Sequence, residues 1–263
     1  MACSAFVFLV DDSMLPESKE DFAETLMPAL TNATGLPVAC LEYRHAPTFP
    51  HPAQALDSVA GLEILTSSNR LPCEGTSARW NRNSIYVIGH SVGAFIALSL
   101  VLQPPKGSKL DGAVSSVIRR AIRGVVCVDG IYDLPSLLEE YPDYKGFVGD
   151  AFGAALDGAY LEQESPARWE LVDETGGLDL RILVLHSRED ELLSLRQPGD
   201  FATGLEKLLD GKGRGSVEID YESLKNGHAQ LLLRDELPLA VRNWIQKLEG
   251  DGDGSVEASV TVM

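Results

Sequence analysis

The sequence predicts an α/β fold with a mostly parallel central sheet and helices on both of its faces. Three observations predict it. Short apolar runs of strand length alternate with stretches of helical spacing along nearly the whole chain, the order that parallel strands and their crossover helices produce. The composition is globular, with 44% hydrophobic and 23% charged residues, which excludes disordered, collagen-like and coiled-coil chains. The length of 263 residues suits one large α/β domain with ample chain for a buried core.

The elements follow in order. Ala5–Val10 is an apolar run closed by Asp11-Asp12 and reads as a buried strand. Asp21–Leu30 places Phe22, Leu26 and Leu30 at helical spacing. Pro37–Tyr43 is apolar and reads as a strand, and Gln54–Leu65 is helical with Leu56, Val59 and Leu62 on one face. Ser84–Ile88 is a strand running into Gly89, and Val92–Leu102 is the helix after it. Gly124–Val128 is a strand and Leu134–Glu140 a short helix. Arg181–His186 is a strand followed by a helix over about 198–209, Ser216–Tyr221 alternates as a strand, and Glu236–Leu248 is a closing helix. The alternation breaks at 141–174, where Gly146, Gly149, Gly153 and Gly158 mark a cap-like insertion over the carboxyl ends of the strands. Residues 1–249 thus read as a single domain, and 250–263 as an acidic flexible tail.

The formal net charge of −17 argues against a nucleic-acid partner, which needs clustered Lys and Arg, and against anionic membranes. No apolar run approaches a membrane span, and the start lacks the basic segment of a signal peptide. Cys3, Cys40, Cys73 and Cys127 form no CxxC pair and have no nearby histidine, so they read as thiols of a reducing compartment and the protein as cytoplasmic.

Chemistry concentrates at Gly89-His90-Ser91-Val92-Gly93, a G-x-S-x-G segment between a predicted strand and a predicted helix. Such a turn forces the serine into a strained backbone state and exposes its Oγ at a helix N-terminus, where the N–H of Val92 can hold an oxyanion. A serine hydroxyl needs a base. His90 lies inside the turn and should point away from Oγ, His45 and His51 lie in a Pro-rich loop, and His186 ends a strand. His228 lies between the last strand and the last helix, the loop that reaches such a turn in a doubly wound sheet, so His228 is the expected general base. The acid that orients it should follow the penultimate strand, where Glu189, Asp190 and Glu191 stand together; Asp190 is the choice, with its two neighbours as solvated charges. Tyr132 and Trp169 are carried as substrate-pocket candidates beside core packing, which is the leading reading of both.

Several segments together resemble the fungal kynurenine formamidases, arylformamidases related to the hormone-sensitive-lipase group of α/β hydrolases. They are Glu42-Tyr-Arg44, Gly89-His-Ser-Val-Gly-Ala94, Val128-Asp-Gly-Ile-Tyr-Asp-Leu134, Glu140-Tyr-Pro-Asp-Tyr144, the run from His186 to Gln197, and Gly227-His228. The resemblance runs from about Phe6 to Ile245. It implies an α/β-hydrolase fold, hydrolysis of N-formyl-L-kynurenine to L-kynurenine and formate in tryptophan degradation, no cofactor and no metal, and a triad on Ser91, Asp190 and His228. A small-molecule aryl formamide is then the partner, and nothing opposes a homodimer. Two alternatives are carried: a carboxylesterase on small esters, and a weak or inactive homologue that serves as a binding protein.

The chain departs from the family at one loop. Where the family carries His-Gly-Gly-x-Trp, this chain reads Val10-Asp-Asp-Ser-Met14, and an amino-terminal hairpin is expected to be lacking. A backbone N–H survives replacement of glycine, so one of Asp11, Asp12 and Ser13 is expected to supply the second oxyanion donor, with Met14 beside the pocket. Losing such a donor costs about 2.7–4 kcal/mol of barrier. An ionised aspartate facing the oxyanion at about 4 Å would cost roughly 4 kcal/mol more at an effective dielectric near 20.

Overall fold

The computed structural model describes residues 3–9, 24–67, 80–172, 179–210 and 215–252. Strand β1 is Cys3–Leu9; helix α1, Leu26–Thr34, leads to β2, Val38–Leu41. Helix α2, Ala53–Ser67, precedes β3, Trp80–His90, which passes through one residue into α3, Val92–Ser99. The two-residue β4, Leu102–Gln103, and helix α4, Ser116–Ala121, lead to β5, Ile122–Val128. Then come three helices, α5 (Leu134–Glu140), α6 (Lys145–Phe152) and α7 (Gly158–Glu164), and β6, Glu170–Leu171. Strand β7, Arg181–Leu185, helix α8, Arg196–Asp210, strand β8, Ser216–Asp220, and helix α9, Glu236–Gly252, complete the described residues.

Six strands form one parallel sheet in the order β2-β1-β3-β5-β7-β8, and β4 pairs with β6 as a small antiparallel ladder. Side chains alternate between the two faces with period 2. Ile85, Val87, Val125, Cys127, Ile182 and Val184 point to one face, under Leu62 of α2, Ile96 of α3 and Phe201 and Leu205 of α8. Their neighbours Tyr86, Ile88, Val126, Val128, Leu183 and Leu185 point to the other, under Leu26 and Leu30 of α1 and Leu237, Val241 and Trp244 of α9. Both faces of the central strands are dry, which is why these strands read as continuous apolar runs and not as alternating ones. The predicted α/β class with helices on both faces is the fold observed.

The chain winds outward from β1 to β2 and then returns to β3 on the other side of β1, so the order reverses between β1 and β3. Crevices at the carboxyl ends of strands beside such a reversal are where open α/β sheets hold ligands. Ser91 follows β3, Asp129 follows β5, Asp190 follows β7 and His228 follows β8, so all four emerge from the same edge of the sheet.

Three differences from the sequence reading have physical causes. Helix α4 went unpredicted because its six residues are too few to display a period. The glycine-bearing stretch at 141–174 contains helices α6 and α7, whose apolar residues Val148 and Leu161 pack with Phe95 and Leu137 in a third cluster of their own. Helix α9 continues through Gly252, past the expected start of the tail at residue 250; the rest of that tail lies outside the described residues. No helix among the described residues is long and apolar enough to cross a membrane.

Candidate active site

Between β3 and α3 the chain turns at Ser91, whose backbone sits at φ 55° and ψ −122°. Residues with a side chain rarely occupy this region, and the surroundings have to hold one there. The holding contacts are visible. The Ser91 N–H donates to the carbonyl of Val128 (2.9 Å), while its own carbonyl accepts from the N–H groups of Ala94 (3.1 Å) and Ile131 (3.3 Å). Gly89 is required for the turn to close, because a Cβ there would stand 2.1 Å from the carbonyl oxygen of Gly93. Val92 is the first residue of α3, so its N–H has no acceptor within the helix.

His228 is brought to this turn from the far edge of the sheet by contacts on both sides. His90, next to Ser91, donates from Nε2 to the carbonyl of His228 (2.9 Å), and the two rings lie 4.6 Å apart. Burial, and then the neighbouring His228, push the His90 ring down to about 3, so it is a neutral, fixed donor. On the other side Nδ1–H of His228 donates to Oδ2 of Asp190 (2.8 Å). That bond sets the tautomer and leaves Nε2 with its lone pair. Asp190 Oδ1 accepts from the N–H groups of Leu192 (2.8 Å) and Leu193 (3.0 Å). Burial alone would raise the Asp190 carboxyl, but His228 and these two amides outweigh it and hold the group below its ordinary value.

The two glutamates beside Asp190 are exposed, as expected, and each also accepts a hydrogen bond from the histidine loop. Glu189 Oε2 accepts from the N–H of Asn226 (3.0 Å) and Glu191 Oε2 from the N–H of His228 (2.9 Å). Ser187 Oγ donates to the carbonyl of Asn226 (2.6 Å). The His228 loop is therefore docked onto the Asp190 loop through its backbone. Gly227 lets it approach, since a Cβ there would meet Glu191 Oε2 at 2.2 Å. A fourth carboxyl group, Asp129, is fully buried beside the pair, with Oδ2 3.9 Å from Nδ1 of His228. Sequence reading missed it, although its place after a strand, like that of Asp190, was the available signal.

A cavity of about 520 Å³ opens beside Val92. Its wall is chiefly apolar, with Phe95 and Ile96 from α3, Ile131 from the loop after β5, and Phe147, Val148 and Phe152 from α6. Its size and polarity fit a single small aromatic molecule. His51 gives it one polar patch, stacked on Phe152 at 4.7 Å and bonded through Nε2 to Glu164 Oε2 at 3.1 Å. Glu164 is fully buried and also accepts from Ser108 Oγ (2.8 Å) and the N–H of Lys109 (3.0 Å). Burial would raise this carboxyl; the bonds from His51, Lys109 and Ser108 outweigh it and hold it below 4.5.

Glu164→Ala strands three donors at once, and a loss of about 3 kcal/mol is expected in urea denaturation at neutral pH. Because the folded carboxyl titrates below its ordinary value, the wild-type advantage is full above about pH 4.5 and shrinks as the pH falls through the folded value. Urea midpoints of both proteins across that range check the sign.

Tyr132 and Trp169, expected in the pocket, do not line this cavity. Tyr132 is fully buried and stacks on Phe201 at 4.6 Å with nearly parallel rings; Trp169 is buried with Nε1–H donating to the carbonyl of Gln163 (2.8 Å). Both belong to the core under the α8 face of the sheet, where their large apolar areas are better removed from water. Asp11, Asp12 and Ser13, expected to supply an oxyanion donor, and Met14, expected at the pocket, lie outside the described residues.

The family profile of the α/β-hydrolase fold matches residues 16–164. A kynurenine formamidase of Eremothecium gossypii is 30% identical over 185 residues, covering 68% of this chain and 69% of that protein. The chain belongs to the kynurenine formamidase family of α/β hydrolases. The kynurenine formamidase of Meyerozyma guilliermondii is 31% identical over 188 residues, and the chain spans 61% of that relative's length with 67% of its own. Among solved structures, a truncated carbohydrate esterase from gut microbiota superposes on this hydrolase with a TM-score of 0.66 at 14% identity, over 95% of this chain and 86% of the other. At that identity the likeness concerns the fold alone. In this hydrolase the matched region contains the Ser91 turn and the α6 wall of the cavity, while Asp190 and His228 come from the part that follows.

Proposed function

We propose that this hydrolase cleaves an aryl formamide, converting N-formyl-L-kynurenine to L-kynurenine and formate. The observation that carries the reading is the bond of 2.8 Å between Asp190 and Nδ1 of His228, made in a loop that His90 ties to the strained Ser91 turn. With Nδ1 occupied, Nε2 is the basic atom, and it takes the proton of Ser91 Oγ as Oγ attacks the formyl carbon. The oxyanion that forms is held by the N–H of Val92, at the positive end of α3. Collapse of the tetrahedral intermediate breaks the C–N bond, and His228 returns the proton to the departing aniline nitrogen. Water, deprotonated by His228, then releases formate from the formyl-serine. The apolar cavity beside Val92 takes the aryl ring. The kynurenine formamidases of E. gossypii and M. guilliermondii support the choice of substrate.

Cytoplasmic residence belongs to the same proposal, supported by free cysteines at Cys40 and Cys127. The test is formate release by purified protein from N-formylkynurenine, set against a panel of short aryl and alkyl esters. A kcat/KM for the formamide above that of every ester is expected. Ester turnover without formamide turnover would make the chain a carboxylesterase, and no turnover of either would make it an inactive binding homologue.

A further inference from the structure

Asp129 shares its burial with the Asp190–His228 pair and has no part in the mechanism above. Its Oδ1 accepts one hydrogen bond, from the N–H of Ser187 (2.8 Å). Among the described residues no N–H or O–H is aimed at its Oδ2, which is closed off from solvent. The groups around Asp129 are Asp190 and Glu191 from the loop after β7, His186, whose Nδ1 is 3.7 Å from Oδ1, His228, whose Nδ1 is 3.9 Å from Oδ2, and the hydroxyl of Tyr132. A carboxyl oxygen of Asp129, one of Asp190 and a ring nitrogen of His228 all lie within 4.8 Å of one another. Two buried carboxylates this close repel each other and, as acceptors only, cannot bond, so one of them has to carry a proton.

The donors decide which one. Asp190 accepts from two backbone amides and from His228, whereas Asp129 accepts from a single amide. Negative charge settles where donors stabilise it, so Asp190 is the anion and the proton lies on Asp129. We propose that Asp129 is a positioning residue held as the neutral acid, donating from Oδ2 to Asp190 and so moderating the basicity that Asp190 confers on His228. Burial first, and the Asp190 charge second, push the Asp129 carboxyl up to about 9. A carboxylic acid kept neutral as a donor in an apolar site is a known catalytic arrangement. Here it acts through the acid of the triad and touches no substrate. The proposal rests on the reading of Ser91, Asp190 and His228 as a triad.

The sign of one pH shift tests it. Labelling of Ser91 by a fluorophosphonate is followed against pH; the acid limb reports deprotonation of His228 whatever the natural substrate is. In Asp129→Ala, Asp190 loses a neutral donor, becomes a stronger partner for the imidazolium, and the midpoint is expected to rise by about one pH unit. Asp129→Asn keeps a donor and should bring the midpoint back toward the wild-type value. A fall of the midpoint in Asp129→Ala would mean that an ionised carboxylate had been removed, and would overturn the proposal; so would a midpoint that neither variant moves. If the alanine variant does not fold, or no variant is labelled at any pH, infrared spectroscopy of aspartate-labelled wild type at pH 7 decides. A carboxylic C=O band that disappears in Asp129→Asn supports the proposal, and its absence from wild type overturns it. Absence of labelling in wild type itself would count against the triad, separately from the state of Asp129.

Discussion

Ser91→Ala is expected to lower turnover of N-formylkynurenine by about 10⁶-fold, the largest effect of any single substitution here. The reason is that the proposed nucleophile, and not a contributor to its activation, is removed. The fold should survive, because alanine occupies the same volume and the contacts that hold the turn are made by the backbone of residue 91. Ser91→Gly makes a sharper companion. It should be as inactive as Ser91→Ala, yet more stable by about 1 kcal/mol, because glycine occupies a φ of 55° without the strain that a Cβ imposes. Formate release and urea denaturation of both variants check the two halves. A variant of residue 91 that retained more than a hundredth of the wild-type rate would remove serine from the mechanism.

Asp190→Asn should cost about 10⁴-fold in kcat with the fold intact. The side chain keeps its shape, and its Oδ1 can still accept from the amides of Leu192 and Leu193. What changes is the second position, where an amide nitrogen would face Nδ1 of His228 in place of a carboxylate oxygen. The ring then either loses its support or turns over to the tautomer that has no lone pair toward Ser91. The loss should appear in kcat far more than in KM, since neither Asp190 nor His228 lines the cavity proposed for the aryl ring, whose wall comes largely from α3 and α6. Steady-state kinetics on the purified variant separate the two parameters, and a rate within tenfold of wild type would show that the contact between residues 190 and 228 does not serve catalysis.

The sheet was legible because its central strands are buried on both faces, and a strand of that kind is apolar at every position. Leu134–Glu140 was legible to the residue because Asp133 caps it, accepting from the N–H of Ser136, and Pro135 opens its first turn. The turn at Ser91 was legible because G-x-S-x-G between strand and helix is a local signal, and the backbone geometry is written in those five residues. Longer-range features were not. Whether Tyr132 faces a cleft or the core depends on Phe201, nearly seventy residues on, which stacks on its ring. Likewise the pairing of Glu189 and Glu191 with the backbone of the histidine loop depends on how two loops meet, and three consecutive acidic residues look the same in sequence whether or not amides await them. Asp129 was overlooked because its meaning depends on a second carboxyl group sixty positions away. His51 was set aside in its Pro-rich loop because Glu164, its partner, lies in a segment with no regular period.

His228, the proposed base, follows β8, which among the described residues is an outer strand of the sheet, hydrogen-bonded to β7 alone. Peripheral strands open more readily than central ones, and such opening leaves the remainder of a sheet standing. Ser91, the proposed nucleophile, by contrast, follows β3, flanked by strands on either hand. On the proposed mechanism, catalytic competence and global folding are distinct properties of this chain. Fraying at one margin would silence the serine while the interior stayed intact, and re-annealing of that margin would restore it without refolding.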